Sequence, residues 1–410
     1  MTPSLTFSVL FWRSLLGIAV FGLFCSTIFL VLVLIAAARF KKRAAADRRS
    51  VLNFAGDLPP VTILKPVHGM EERLEENLES FFRQDYPDFE IIIGARDAED
   101  PAIALTEKLR LRYPQVKSRI VISGAPTWSN AKVFTLDKMI PLSRNDFFVI
   151  SDSDVRVERD FLRDVIPPLI NQSSEESGGQ KIGLVTCLYR GDPAADFWSL
   201  LEALGMSVEM PSGVVVADML EGIRFALGPA VAVRRDALEA IGGIAATSDY
   251  YSDDYVLGNK IWAAKYKVIF SHHFVYHVLT PRPFFRTLGD QLRWMKSTRH
   301  SRPWGHLGTG LTFAMPFGVI GFIAAAALGN LRLAVALLAI AFLNRAIQSL
   351  AVGWGLLRDP RALRLFWLYP LRDFQGFVVW VASYFSRDFY WRGETYRFTA
   401  GGKIIARDRC

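Results

Sequence analysis

Cysteine is scarce: Cys25, Cys187 and Cys410 are the only three in 410 residues. They lie far apart and form no CxxC, which argues against a zinc knuckle and a disulfide framework. No internal repeat or low-complexity tract is present, and 30 glycines and 20 prolines are too few for a collagen-like chain. Charge is thin too, at 21% of residues against 51% hydrophobic and 13% aromatic, which excludes a disordered chain. The mean hydropathy of +0.21 is too apolar for an ordinary soluble enzyme and too polar for a chain that is all membrane. Forty-eight Lys+Arg against 40 Asp+Glu leave a net charge of +8. On an apolar chain that balance fits the cytoplasmic face of a membrane at least as well as nucleic acid.

What the sequence does have is long apolar runs. From Leu15 to Ala38 no side chain is charged; such a helix reaches about 36 Å, enough to cross a hydrocarbon core of about 30 Å. A signal peptide would be shorter and end at a small-residue cleavage site. Here the run ends in Arg39, Lys41, Lys42, Arg43, Arg48 and Arg49, which reads as a stop-transfer anchor with the following chain in the cytoplasm. Further runs extend over Leu307–Leu331, Leu333–Leu357 and roughly Phe366–Phe385. Asn344, Arg345 and Gln348 interrupt one of them and Arg372 and Asp373 another, so those polar groups should face a neighbouring helix or a lipid head group. The expected count is four membrane elements. The resulting division is 1–50 anchor and basic juxtamembrane segment, 51–280 catalytic domain, 281–305 interfacial helix, and 306–410 membrane cluster and tail.

Residues from about Val61 to Thr280 read as α/β. Val61–Leu64, Phe89–Gly94, Arg119–Ser123 and Phe147–Ile150 are short apolar strands, and Leu74–Phe82 carries apolar residues at helical spacing. Strands alternating with helices imply a mostly parallel sheet, with ligands beyond the carboxyl ends of the strands. Ser173–Gly179 reads as a surface loop, and Val214–Val233 as core strands, because Asp218, Glu221, Arg224 and a Gly228-Pro229 turn argue against a span.

The acidic motifs fall at those strand ends. Asp152-x-Asp154 follows the fourth strand; paired carboxylates there suit Mg²⁺ or Mn²⁺ shared with a diphosphate, although a solvated turn gives the same pattern. Asp97 follows the second strand, where it either accepts from a uracil imide or caps the helix beginning near Pro101. Asp253-Asp254 precedes a helical pattern; the pair acts either as dipole partners or, in one member, as the base for a hydroxyl. Phe284, Leu288, Leu292 and Met295 form a stripe among Arg286, Arg293, Lys296 and Arg299, as in a helix lying in the head-group plane. Arg293-Trp294 offers a guanidinium and an indole, for an interfacial anchor or a phosphate contact. His272, His273 and His277 have no metal-site spacing and read as structural.

Taken in order, Ile63-Leu64-Lys65-Pro66, Asn77–Pro87, Asp97 with Asp100-Pro101-Ala102, Asp152-Ser153-Asp154, Asp253-Asp254-Tyr255 and Arg293-Trp294 resemble the ceramide glucosyltransferase family. The likeness continues into Tyr369–Asp373 and Trp391-Arg392-Gly393. The resemblance implies a GT-A α/β catalytic domain between membrane helices, a UDP-sugar donor, and inverting transfer to a lipid hydroxyl such as that of ceramide. By that similarity Asp97 contacts uridine, Asp152 and Asp154 hold the diphosphate and its Mg²⁺ or Mn²⁺, and Asn130 and Lys132 lie near the nucleotide. Asp254 is then the general base, and Arg293 and Trp294 close the family's (Q/R)xxRW signature. The chain departs from that signature: Asp290 stands three places before Arg293 and Gln291 two, so Gln291 is given no catalytic part. The expected partners are a membrane lipid and the bilayer, not nucleic acid, with the bacterial inner membrane as the location. Alternatives are UDP-glucose or UDP-N-acetylglucosamine transfer to a hopanoid or other polyprenyl-derived lipid, a processive polysaccharide synthase, and a non-catalytic membrane protein.

Overall fold

The computed structural model describes residues 3–170, 179–391 and 393–407. Residues 173–178 of the expected loop Ser173–Gly179 and the positions Arg392 and Cys410 lie outside them. Contacts divide the chain into a helical unit (Met1–Lys41, Ala195–Leu220, Pro281–Phe389) and an α/β unit (Lys42–Ala194, Glu221–Thr280, Tyr390–Cys410).

In the α/β unit, strands β1 (Val61–Pro66), β2 (Phe89–Ala95), β3 (Lys117–Ile122), β4 (Phe147–Ser151), β5 (Val155–Arg156), β6 (Ile182–Asp192), β7 (Ala230–Arg234) and β8 (Lys267–Val278) form one sheet in the order 3-2-1-4-7-6-8-5. The first four are parallel, as the alternating pattern predicts. β7 then enters antiparallel to both β4 and β6, β8 runs parallel to β6, and β5 antiparallel to β8. On one face of β1, β2 and β4, Val61, Ile63, Ile91, Ile93 and Val149 are at most 1% exposed and join Leu74, Leu78 and Phe81 of the helix Leu74–Phe82 in one core.

The chain leaves β1 toward β2 on one side and later reaches β4 on the other. Between β1 and β4 the connecting segments diverge, which opens a crevice at the carboxyl ends of the strands. Lys65, Asp97 and Asp152 all lie at that edge.

Among the described residues, three helices are long and apolar enough to cross a membrane: Phe7–Leu52, Phe197–Glu221 and Leu331–Trp354. Phe197–Glu221 is a correction: Val214–Glu221, expected as strand, is the end of a 25-residue helix, and only Ala230–Arg234 is strand. Its acidic residues and Pro211 disguised its length. The run from Leu307 yields the helix Met315–Ala327, and the last run yields Tyr369–Ala382; at 13 and 14 residues they rise about 20 Å each, short of a straight crossing.

The helical unit packs through small residues. A Cβ on Gly318 would fall 2.4 Å from Ala341 Cβ, and one on Gly22 would fall 2.3 Å from the Phe317 ring, so these helices approach closely. The polar residues of the apolar runs face one another. Arg345 is 2% exposed, pairs with Asp373 at 3.0 Å and donates to Asn344, whose amide reaches Thr27 at 3.3 Å. Asp373 also accepts from Ala314 N and Met315 N at 3.0 and 2.8 Å. Helix–helix pairing, one of the two expected outcomes, is what the structure shows.

Candidate functional site

The helix Ala131–Met139 starts at Asn130, which is fully buried and caps it by accepting from Lys132 N and Val133 N at 3.1 and 3.3 Å. The other end of the same amide donates to Tyr250 O at 2.9 Å and Asp253 Oδ1 at 3.3 Å. Asn130 therefore anchors the acidic loop, and its side chain is committed to protein partners. Two residues on, Lys132 Nζ lies 2.8 Å from Asp152 Oδ1 and 3.2 Å from Asp253 Oδ2. Burial opposes that charge, but Asp152, Asp253 and Asp254 together hold the ammonium above its usual pKa.

Asp254 opens the helix Asp253–Ala263. Its pKa is pushed up to about 7, first by burial and then by the charge of Asp253, against the opposing pull of Lys132. Gly228 makes room for it: a Cβ there would sit 2.9 Å from Asp254 Oδ2 and 3.6 Å from Asp152 Oδ2. Two carboxylates from separate stretches thus meet over one glycine. A carboxylate balanced near neutrality at a cleft edge is what a general base requires.

Beneath them lies a residue to which the sequence reading gave no role. Lys65, at the end of β1, is fully buried; its ammonium donates to the Asp152 carbonyl and lies 3.3 Å from Ser151 Oγ and 4.1 Å above the Phe81 ring. Burial lowers its pKa to about 7 against the pull of Asp152, Asp154 and Glu71. It braces the turn that carries Asp152-Ser153-Asp154. A lysine ending an otherwise apolar strand was the available signal.

His277 is the second such residue. Val155 pairs with His277 across β5 and β8, and His277 Nε2 comes 3.5 Å from Asp154 Oδ2. Asp154 Oδ1 is buried without a hydrogen-bond partner. An imidazole and a carboxylate at that separation, with a spare carboxylate oxygen, fit the donor set of a divalent cation bound at about 2.1 Å from each atom. Sequence spacing gave no hint because 123 residues separate the two positions.

Asp100, not Asp97, caps the helix Pro101–Arg112, accepting from Ala102 N at 2.9 Å and Gly69 N at 2.9 Å. Asp97 is exposed at the crevice edge and accepts only a local bond from Glu99 N at 3.0 Å among those observed. The loop before Asp253 is held by the tail: Ile404 N donates to Asp249 O at 2.8 Å, Lys403 pairs with Asp249 at 3.2 Å, and the Tyr251 ring stands 5.2 Å from Trp391 and 5.6 Å from Phe398.

Arg293 and Trp294 lie in the helical unit, on Phe284–Ser301. Asp290, the residue that departs from the signature, holds Arg293 at 2.9 Å and also pairs with Arg282. The faces of this helix are the reverse of a soluble one. Thr287, Gln291, Lys296 and Ser297 are buried, while Phe285 is 83% exposed and Leu288, Leu292 and Met295 are half-buried.

Among known proteins, the chain is similar to ceramide glucosyltransferase 1 of Caenorhabditis elegans, 23% identical over 360 residues that cover 85% of this chain and 73% of the relative. It is also similar to the β-monoglucosyldiacylglycerol synthase of Synechocystis, 25% identical over 189 residues, 45% of this chain and 37% of the relative. Among solved structures, the mannosyltransferase PcManGT of Pyrobaculum calidifontis in complex with GDP-Man and Mn²⁺ superposes with a TM-score of 0.51. That match is 19% identical and covers 88% of this chain and 99% of that one. The fold is thus GT-A with added apolar helices, in a membrane protein. Residues 20–404 match Glycosyl transferase family 21, and the chain belongs to that family.

Proposed function

We propose that this glycosyltransferase moves glucose from UDP-glucose to a primary hydroxyl of a membrane lipid, with ceramide as the acceptor, and inverts the anomeric centre. The observation that carries the reading is the meeting of Asp152 and Asp254 over Gly228, with Lys132 between the acids, at the strand ends where a nucleotide binds. The names of relatives matched over most of their length, ceramide glucosyltransferases, support a glucosyl group and a ceramide acceptor.

In the proposed reaction the lipid hydroxyl oxygen attacks the anomeric carbon in line, its proton passes to an Asp254 oxygen, and the bond to the UDP oxygen breaks. Asp254 is suited to this because its pKa lies close to working pH. Asp97 receives the uracil, and Lys132 keeps Asp152 and Asp253 in place. Asp154 and His277, with Asp152, would hold Mg²⁺ or Mn²⁺, which when bound neutralises charge on the diphosphate. Arg293 and Trp294 are assigned to the departing diphosphate and to the sugar. The basic cluster after Ala38 supports a cytoplasmic α/β unit, and the membrane assigned to it is a bacterial inner membrane.

The test incubates purified full-length protein with labelled UDP-glucose or UDP-N-acetylglucosamine and each of ceramide, diacylglycerol and a hopanoid tetrol. Glucosylceramide formation that Asp254→Asn abolishes while UDP binding persists is the expected result. Transfer to another acceptor alone moves the reading to that lipid, and retained turnover in Asp254→Asn removes the base.

A further inference from the structure

His272 and His273, which take no part in the proposed reaction, meet one aspartate inside the α/β unit. His273 Nδ1 lies 2.7 Å from Asp164 Oδ2, and His272 Nε2 lies 3.2 Å from Asp164 Oδ1. Neighbouring residues of a strand ordinarily point to opposite faces. Here β6 advances two residues, from Thr186 to Leu188, while β8 advances four, from Phe270 to Phe274. That irregularity suspends the alternation, and two successive imidazoles converge. Both are deeply buried, with side chains 8% and 5% exposed. His272 Nε2 is aimed at Asp164 yet makes no hydrogen bond.

A second carboxylate comes from the start of the helix Phe161–Val165. Asp160 occupies its N-cap position, but the side chain makes no capping bond. One turn before Asp164, it brings Oδ1 to 3.9 Å from His273 Nδ1. One ligand atom each from Asp160, Asp164 and His273 lie within 4.8 Å of one another. Donors held about 2.0–2.1 Å from a tetrahedral Zn²⁺ stand about 3.3 Å apart, and the separations of 2.7, 3.2 and 3.9 Å bracket that edge. Two imidazoles beside two carboxylates suit Zn²⁺ better than Mg²⁺, which prefers oxygen donors and keeps its water. The Asp160 side chain is 59% exposed and lines an open cleft of about 730 Å³, so an ion can reach the buried ligands from solvent.

We infer that Asp160, Asp164, His272 and His273 form a structural Zn²⁺ site that ties the helix Phe161–Val165 to β8 where the register of that strand breaks. His277 stands four residues further along β8, about 13 Å away in extended chain, and faces Asp154 instead. The two centres therefore take separate ions. The inference goes beyond the proposed transfer reaction and does not depend on it.

The experiment strips full-length protein in detergent with a chelator, dialyses it against Zn²⁺ and measures bound metal by elemental analysis. Wild type is compared with Asp164→Asn, with His272→Gln and with Asp152→Asn/Asp154→Asn, which disables the other centre. Asp164→Asn leaves two buried imidazoles without their partner, so His272→Gln serves as the milder variant. Wild type should hold about one equivalent of Zn²⁺ more than either site variant, and Zn²⁺ affinity at this site should fall roughly tenfold or more in His272→Gln. Asp152→Asn/Asp154→Asn should keep that equivalent. Zn²⁺ should also raise the thermal midpoint of wild type and of Asp152→Asn/Asp154→Asn, and raise it less in His272→Gln, whose metal-free midpoint stays near that of metal-free wild type. Equal Zn²⁺ content in wild type, Asp164→Asn and His272→Gln overturns the site. Loss of all bound Zn²⁺ in Asp152→Asn/Asp154→Asn assigns the ion to the other centre and overturns it as well.

Discussion

Replacing Asp254 by Asn should make the protein more stable and nearly inactive, and the stability gain should depend on pH. An aspartate whose pKa moves from 3.8 unfolded to about 7 folded binds more protons in the native state throughout that interval. Stability therefore falls as pH rises from about 4 to about 7 and is flat above, where the full penalty is present. Three units correspond to about 4 kcal/mol, which the neutral amide escapes. At pH 8 Asp254→Asn should unfold at a clearly higher temperature than wild type, with the gap shrinking as pH falls below 7 and nearly closing at pH 4. Loss of the base should cost transfer about 10²–10⁴-fold. Thermal unfolding in detergent across pH 4–8, together with transfer of label from UDP-glucose, measures both. A variant no more stable than wild type at pH 8, or a gain independent of pH, refutes the claim that a buried, crowded carboxylate sits there.

The wild-type rate should fall about tenfold per unit below pH 7, and Lys132→Met should move that limb upward by about one unit or more, because Lys132 is the cation lowering the Asp254 pKa; a limb that stays in place would show that Lys132 does not act on Asp254. Chelation should suppress transfer, and His277→Ala should raise the Mn²⁺ needed for half-maximal rate by roughly tenfold or more, read from metal titrations of the purified enzyme; an unchanged titration removes His277 from the cation site. In the helical unit, Asp373→Leu should cost about 3–5 kcal/mol by stranding Arg345, and Arg345→Met/Asp373→Leu should recover much of it. Thermal unfolding of the single and double variants decides that, and equal losses in both would refute the pairing.

The four parallel strands were legible because each is a short apolar run closed by polar residues, and the acids at their ends followed from strand direction alone. The antiparallel entry of β7 was not, since nothing local to Ala230–Arg234 records which neighbours it will find. Val214–Glu221, the end of the helix Phe197–Glu221, was misread because Asp218, Glu221, Arg224 and the Gly228-Pro229 turn broke its apolar run; earlier in the same helix Glu209 pairs with Arg372, a partner 163 residues away. The same distance effect hid His277 and the support of the Asp253 loop by Lys403 and Trp391. Lys65 was visible as a charged end to a buried strand, but only the fold shows that its ammonium grips the Asp152 carbonyl.

The outward ring of Ile18, Phe21, Phe24, Ile28 and Val31 on the first helix, each 46–62% exposed, has a kinetic corollary. An enzyme held by such a surface meets its greasy reactant by lateral diffusion within a sheet of lipid. Its velocity should then follow the mole fraction of that reactant among its neighbours, and diluting the vesicles with buffer at fixed composition should leave turnover unaltered.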